Sequence, residues 1–154
     1  MAQCGSRTMP SWMVVTSEDN FARTRELGFT IQGVKAKHRK KAERIAPGDR
    51  LCWYVTRIQG FAATARVTSP AFEDIRAIWV SEGAADPYPW RFRIEPAHVR
   101  ETAAAIPAAD LVPDLLFVRK WPAPHWRLAF QGNLHELPDA DFERIDAAVA
   151  GRHP

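Results

Sequence analysis

The chain has 154 residues, of which 46% are hydrophobic and 25% are charged, and its formal net charge is +3 at pH 7. These values fit one soluble domain with a single core and exclude a disordered or fibrous chain. Since no stretch approaches the roughly 18 consecutive apolar residues that a membrane-spanning helix needs, we expect no membrane span.

The first predicted element is a buried strand over Ser11–Thr16, a short apolar run that contains β-branched residues. Ser17 follows as the N-cap of a helix, and acidic residues occupy the first helical turn, where the helix dipole favours them. We expect Gly28 to end this helix, because glycine readily adopts the left-handed conformation of the C′ position. An extended link over Phe29–Val34 comes next.

Two neighbouring segments predict a hairpin at the centre of a sheet. One strand is expected over Arg50–Thr56, Gln59-Gly60 turns the chain, and a second strand is expected over Phe61–Thr68. Before this hairpin, the basic segment Lys35–Arg44 predicts a short helix over residues 36–45.

The second half of the chain is richer in proline. Residues 69–89 are predicted to be irregular, and the alternating W-R-F-R-I predicts a strand over Trp90–Ile94 that Pro96 ends. Closing strands are predicted over Leu128–Phe130 and Leu134–Leu137, and a last helix begins at Pro138-Asp139. This order indicates an α+β fold, with a strongly bent sheet or small barrel and helices at its rim.

Several segments resemble the EVE domain. They are W-M-V-V-T-S-E-D-N-F (12–21), G-F-T-I-Q-G-V-K (28–35), P-G-D-R-L-C-W-Y-V-T (47–56), F-A-A-T-A-R-V-T-S (61–69), P-W-R-F-R-I-E-P (89–96) and D-F-E-R-I (141–145). The resemblance implies a PUA-like fold in one domain over residues 11–154, after a short disordered lead-in over residues 1–10. It also implies nucleic-acid binding, with a pocket suited to a modified base. YTH domains, which read methylated adenine in RNA, are distant relatives in the same superfamily.

Aromatic side chains are the first candidates for a base pocket, because six tryptophans are more than a core of this size usually needs. Trp79 and Trp90 border the irregular segment and are the preferred stacking residues, with Trp12 less favoured. A base stacked on an aromatic ring gains about 1–3 kcal/mol. In the resemblance, Trp79 aligns with one aromatic of the YTH cage, whereas Lys35 occupies the place of the other. For each tryptophan, a place in the core or at its rim is the alternative.

Polar groups must accompany the stack, because burying one methyl group contributes only about 0.8 kcal/mol. We expect Ser17, Asn20 and the backbone near Gly33 and Val34 to supply directed donors and acceptors. The alternative for Ser17 and Asn20 is that they only cap the first helix.

Cationic side chains could contact phosphates, which position a nucleic acid and make its binding salt-dependent. The candidates are Lys35, Lys37, Arg39, Lys40, Arg91, Arg93 and Arg127. A solvated helix face is the alternative for the basic segment.

Motifs for a metal site or for catalysis are absent from the sequence: it contains no C-x-x-C, H-x-x-x-H or G-x-S-x-G. Together with what the resemblance implies, this absence leads us to expect a non-catalytic module without metal or cofactor that binds a modified base in RNA or DNA. With only Cys4 and Cys52, the cysteine usage fits the cytoplasm, and we expect a monomer. Two alternatives stay open: an enzyme acting on a nucleotide or small aromatic metabolite, and a protein-interaction module that uses exposed tryptophans.

Overall fold

The computed structural model describes residues 10–81 and 85–152. The expected disordered lead-in over residues 1–9 lies outside this part, as do Cys4 and Gly83. Pro10, which we assigned to the lead-in, is tied to the sheet, because its carbonyl accepts a hydrogen bond from Arg50 N at 3.2 Å.

The described residues form eight strands and four α-helices. The strands are β1 (Ser11–Thr16), β2 (Ile31–Val34), β3 (Arg50–Val55), β4 (Gly60–Val67), β5 (Phe72–Glu73), β6 (Trp90–Val99), β7 (Ile106–Pro107) and β8 (Leu134–Leu137). The helices are α1 (Glu18–Glu26), α2 (Arg39–Glu43), α3 (Ala108–Leu111) and α4 (Asp139–Val149). Short 3₁₀ segments lie at Ala36–His38, Thr102–Ala104, Val112–Asp114 and Ala123–Phe130.

Six of the strands make one sheet in the order β2-β6-β4-β3-β1-β8, while β5 pairs with β6 and β7 pairs with β4. The pair β1–β3 is parallel and the other pairs are antiparallel. The register shifts once in β3–β4 and once in β4–β6, and such bulges bend a sheet. The predicted central hairpin and the α+β class with a bent sheet are confirmed.

Both faces of the sheet are buried. Trp12 and Val14 of β1 face a cluster that includes Phe21 of α1 and Ala42 of α2, whereas Met13 and Val15 face a second cluster that includes Phe142 of α4. Successive strand residues point to opposite faces, so a strand covered on both sides has a continuous apolar run. This burial explains the sequence of β1 and leaves the ends of the strands free to carry a site.

The first helix follows the prediction in detail. The Ser17 hydroxyl accepts a hydrogen bond from Asn20 N at 3.1 Å, and Glu18 and Asp19 lie in the first turn. Gly28 has a φ of 72°, as the C′ position requires. Because α1 begins two residues after β1 ends, its first turn is fixed at the carboxyl end of that strand.

Two predictions for the second half are wrong. Pro96 does not end β6, which continues to Val99; Pro96 lies beside the bulge of β4–β6, where the ladder is interrupted and the missing N–H is tolerated. Leu128–Phe130 is not a strand but the end of a 3₁₀ segment that begins after Pro122. Prolines at its start preset φ near the helical value.

Candidate functional site

A cavity of about 230 Å³ opens at the carboxyl ends of the parallel strands β1 and β3. Its lining comes from six places in the chain: Val15, Thr16, Ser17 and Asn20; Lys35; Thr56; Val80; Tyr88; Gly132 and Asn133. Pockets for drug-sized ligands usually measure roughly 300–1,000 Å³. The space therefore suits one small ring system, such as a single nucleobase, and is too small for two.

Asn20 connects Val80 and Tyr88 to α1. Its side-chain nitrogen donates to Val80 O at 2.8 Å and to the Tyr88 hydroxyl at 3.3 Å, and its side-chain oxygen accepts from Val80 N at 2.8 Å. Both amide hydrogens are engaged within the protein. Asn20 lies in the lining, but its side chain, which we expected to supply donors and acceptors to a base, is committed to Val80 and Tyr88 and positions the cavity wall.

Asn133 performs the same task on the opposite side. Its side chain accepts a hydrogen bond from Lys35 N at 2.9 Å and donates to Val15 O at 3.1 Å. The carbonyl of Asn133 also accepts from Val15 N at 2.9 Å. This residue thus joins the ends of β1 and β2 to the turn before β8. Our sequence analysis missed it, because a turn asparagine gives no signal of its distant partners.

Tyr88 is the aromatic residue of the described lining. Its φ of 54° lies in the left-handed region, which a bulky residue adopts only when its surroundings enforce it. Asp86 fixes the backbone by accepting a hydrogen bond from Tyr88 N at 2.9 Å. Burial, reinforced by the negative charge of Asp86, raises the pKa of the Tyr88 hydroxyl, which stays neutral near pH 7. Such unusual backbone geometry is typical of functional sites.

Trp79 does not line the cavity, contrary to our prediction. The indole is 3% exposed, its Nε1 donates to Thr24 Oγ1 at 2.9 Å, and the Arg91 guanidinium lies 5.1 Å from the ring. Gly33 allows this packing, because a Cβ there would lie 2.6 Å from Trp79 Cζ3 and 2.8 Å from Tyr88 O. Gly33 and Trp79 therefore pack beneath the residues that line the cavity. The Trp79 ring is not exposed to the cavity and cannot stack on a base there.

The other predicted pocket residues also lie outside the lining. Trp90 is half-buried, donates from Nε1 to Ala36 O at 3.1 Å and has the Arg39 guanidinium 5.6 Å from its ring. Trp12 is fully buried and donates to the Asp49 carboxylate at 3.0 Å, and Val34 is part of the core. In Trp12, Trp79 and Trp90 the indole N–H is satisfied inside the protein, as burial demands.

Arg91 is not available for a phosphate, although it was predicted as a contact. Its side chain is fully buried. Nε donates to Tyr88 O at 3.1 Å, Nη2 donates to Pro87 O at 3.0 Å and contacts Arg76 O, and Nη1 lies 3.5 Å from Asp74 Oδ1. These partners enclose Arg91 but not Arg93, which lies two residues further on the same face of β6 and is exposed.

Lys35 is the predicted cation that the structure brings to the cavity. Its Nζ lies 5.9 Å from the centroid of the Tyr88 ring. Lys37, Arg39 and Lys40 are exposed on the segment that follows, where Arg39 pairs with Glu43 at 3.2 Å. Arg127 is exposed and donates to Gln59 at 3.0 Å, outside the lining.

The described residues contain no group of three His, Cys, Asp or Glu side chains that could hold a metal ion. In the same part of the chain, no helix combines the length and apolar character that crossing a membrane requires.

Comparison with known structures reveals the same fold in YTH domains, one of them solved with RNA. The YTH domain of Zygosaccharomyces rouxii MRB1, solved in complex with N6-methyladenosine RNA, matches with a TM-score of 0.63 at 17% identity, covering 96% of this chain and 94% of that one. The Toxoplasma CPSF4-YTH domain in apo form matches with a TM-score of 0.64 at 12% identity, covering 99% and 94%. At these identities the likeness concerns the fold, and the expected PUA-like architecture is confirmed.

Sequence relatives point to one family. The UPF0310 protein PH1033 of Pyrococcus horikoshii is 27% identical over 149 residues, which cover 90% of this chain and 97% of that protein. The family model described as EVE domain matches residues 11–148. Because this match spans nearly the whole chain, as the resemblance had indicated, the protein belongs to the EVE domain family.

Proposed function

We propose that this protein is a non-catalytic nucleic-acid-binding module that takes one modified base of an RNA or DNA strand into the cavity. The observation that carries the proposal is a cavity sized for one base with Lys35 in its wall and a cationic segment directly after it. Family membership supports the proposal, as does the fold shared with the MRB1 YTH domain, which was solved in complex with N6-methyladenosine RNA.

The cavity supplies one aromatic contact and several polar groups. A single base–aromatic stack contributes about 1–3 kcal/mol, whereas extruding a base from a duplex costs a few kcal/mol. Because Tyr88 is the one aromatic in the described lining, stacking alone does not offset extrusion. A single-stranded or already unpaired base is therefore the preferred target, with phosphate contacts adding affinity that falls with salt.

The competing functions have less support. None of the described lining residues is His, Asp or Glu, the side chains that most often act as general bases and that activate a serine hydroxyl such as that of Ser17. A protein-interaction surface would need exposed tryptophans. None is exposed, because Trp12, Trp53 and Trp79 are buried and Trp90, Trp121 and Trp126 are half-buried.

The test is fluorescence anisotropy with labelled single-stranded oligonucleotides, each carrying one modified base, at two salt concentrations. Thr56→Trp fills the cavity mouth, and Thr68→Trp is a matched control at an exposed position outside the lining. We expect salt-dependent binding that Thr56→Trp weakens at least tenfold and Thr68→Trp leaves unchanged. Absence of binding at both salt concentrations, or equal binding by Thr56→Trp and the wild type, would contradict the proposal.

A further inference from the structure

We propose that the cavity selects a base whose edge carries an oxygen acceptor or an anionic substituent, and that Lys35 is the residue that reads this group. The inference rests on the proposed function and names the class of base that the cavity takes. It follows from which polar groups of the lining are still available to a ligand.

The two amide side chains of the lining are committed to the protein. Asn20 uses both of its hydrogens on Val80 and Tyr88, and Asn133 spans Lys35 and Val15. The Thr16 hydroxyl donates to Ser17 O at 3.3 Å. These groups shape the cavity and leave recognition to the remaining side chains.

The groups left for a ligand are mainly donors. The Ser17 oxygen already accepts from Asn20 N, so a ligand can use its hydroxyl hydrogen and one remaining lone pair. The Lys35 ammonium forms no hydrogen bond or ion pair with a described residue, and an ammonium can only donate. Thr56 adds one hydroxyl at the mouth.

The described lining contains no carboxylate that could pair with Lys35. The nearby Asp86 accepts hydrogen bonds from Ala36 N at 3.2 Å and from Tyr88 N at 2.9 Å, so its oxygens are directed to the backbone. A ligand acceptor would therefore meet an ammonium that no carboxylate of the described residues occupies and that otherwise lies against the Tyr88 ring.

The expected difference in affinity between modified bases follows from these groups. Burial of a methyl group favours binding roughly fourfold, whereas a hydrogen bond to a charged group favours it roughly ten- to hundredfold. N6-methyladenine presents an N–H and a methyl group on its modified edge and offers the ammonium only the neutral ring nitrogens beside them, with no oxygen or anionic acceptor. A carboxylated or carbonyl-rich pyrimidine would pair with it through a charge-assisted hydrogen bond.

The experiment compares four single-stranded oligonucleotides that differ only in one central base: cytosine, 5-methylcytosine, 5-carboxycytosine or N6-methyladenine. The wild type is expected to bind the carboxylated strand at least tenfold more tightly than the methylated strands. Lys35→Met keeps the backbone N–H that Asn133 accepts, so the fold should persist, and it should reduce the preference to less than threefold.

Lys37→Met is the matched control, because Lys37 is exposed, two residues away and outside the lining. It should weaken all four strands by a similar factor and keep the tenfold preference. A preference for a methylated base, or a carboxylate preference that survives Lys35→Met or disappears equally in Lys37→Met, would overturn the inference.

The two proposals fail in distinguishable ways. The wild type could bind the strands in a way that Thr56→Trp abolishes, yet show no preference for the carboxylated strand. That result would contradict the role of Lys35 but would still support the base-binding cavity. If the wild type shows no binding that Thr56→Trp reduces, both the base-binding cavity and the role of Lys35 are contradicted.

Discussion

The Arg91 guanidinium holds together the segment that carries Tyr88. It contacts the carbonyls of Arg76, Pro87 and Tyr88 and the carboxylate of Asp74, with no solvent exposure. Removing one partner of a buried charged group leaves the others desolvated and unpaired. Arg91 therefore acts on the cavity indirectly, by fixing the backbone on which Tyr88 sits.

Replacing this side chain tests that role. Arg91→Met should lower the free energy of unfolding by about 3 kcal/mol, because three carbonyls and Asp74 lose a donor. Arg93→Met, on the same face of β6 but exposed, should change it by less than about 0.5 kcal/mol. Urea denaturation of both variants is the measurement, and equal stabilities would show that Arg91 does not hold the loop.

Single residues could be predicted from the sequence only where local structure fixes their position. Ser17 and Asn20 were found because an N-cap directly after a buried strand places them at its end. Trp79 and Trp12 were misassigned, because the partners that draw their indoles inward, Thr24 and Asp49, are 55 and 37 residues away. Tyr88 and Asn133 were missed for the same reason.

At the scale of elements, β2 is held to α1 by a buried polar chain. Trp79 Nε1 donates to Thr24 Oγ1, which donates to Gln32 Oε1 at 3.0 Å, and Trp53 Nε1 donates to the same oxygen at 2.8 Å. These hydrogen bonds require Trp79 to lie close to β2. Gly33 makes the approach possible, since any larger residue would overlap Trp79 and the Tyr88 carbonyl.

Gly33→Ala should therefore distort the cavity wall. Its Cβ would come within 3.0 Å of both neighbours, and overpacking of this kind typically costs about 1–3 kcal/mol. We expect at least a tenfold loss of oligonucleotide affinity, measured by anisotropy on protein shown to be folded by circular dichroism. Gly60→Ala, which crowds β7 instead, should be destabilised but bind normally. Normal binding by Gly33→Ala would contradict this account of the wall.

The elements themselves were predicted unevenly. β1, α1, β8 and α4 carry strong local signals, and their predicted positions are confirmed. The length of β6 and the existence of β5 depend on pairing between β5 and β6 and on the bulge opposite Pro96. Pairing between distant segments leaves little trace in local composition, so these features could not be derived from it.

At the scale of the whole molecule, positive charge is concentrated around His38. Burial and then the charge of Lys41 lower the pKa of His38 to about 4, with Lys37, His135 and Lys35 adding to the effect. Arg39 and Arg44 on the same stretch pair with Glu43 and Glu136. By contrast, Lys37 and Lys40 form no ion pair with a described residue and are free to meet a polyanion.

The depressed pKa of His38 links stability to pH. The folded state keeps His38 neutral down to about pH 4, whereas the unfolded chain takes up the proton near pH 6.5. Since the unfolded state then binds more protons, stability is retained above about pH 6.5 and falls as the pH is lowered towards 4. His38→Gln removes this contribution and should flatten the decline. Urea midpoints measured between pH 7.5 and 4.5 test the expectation, and parallel curves for the wild type and His38→Gln would show that His38 is protonated equally in both states.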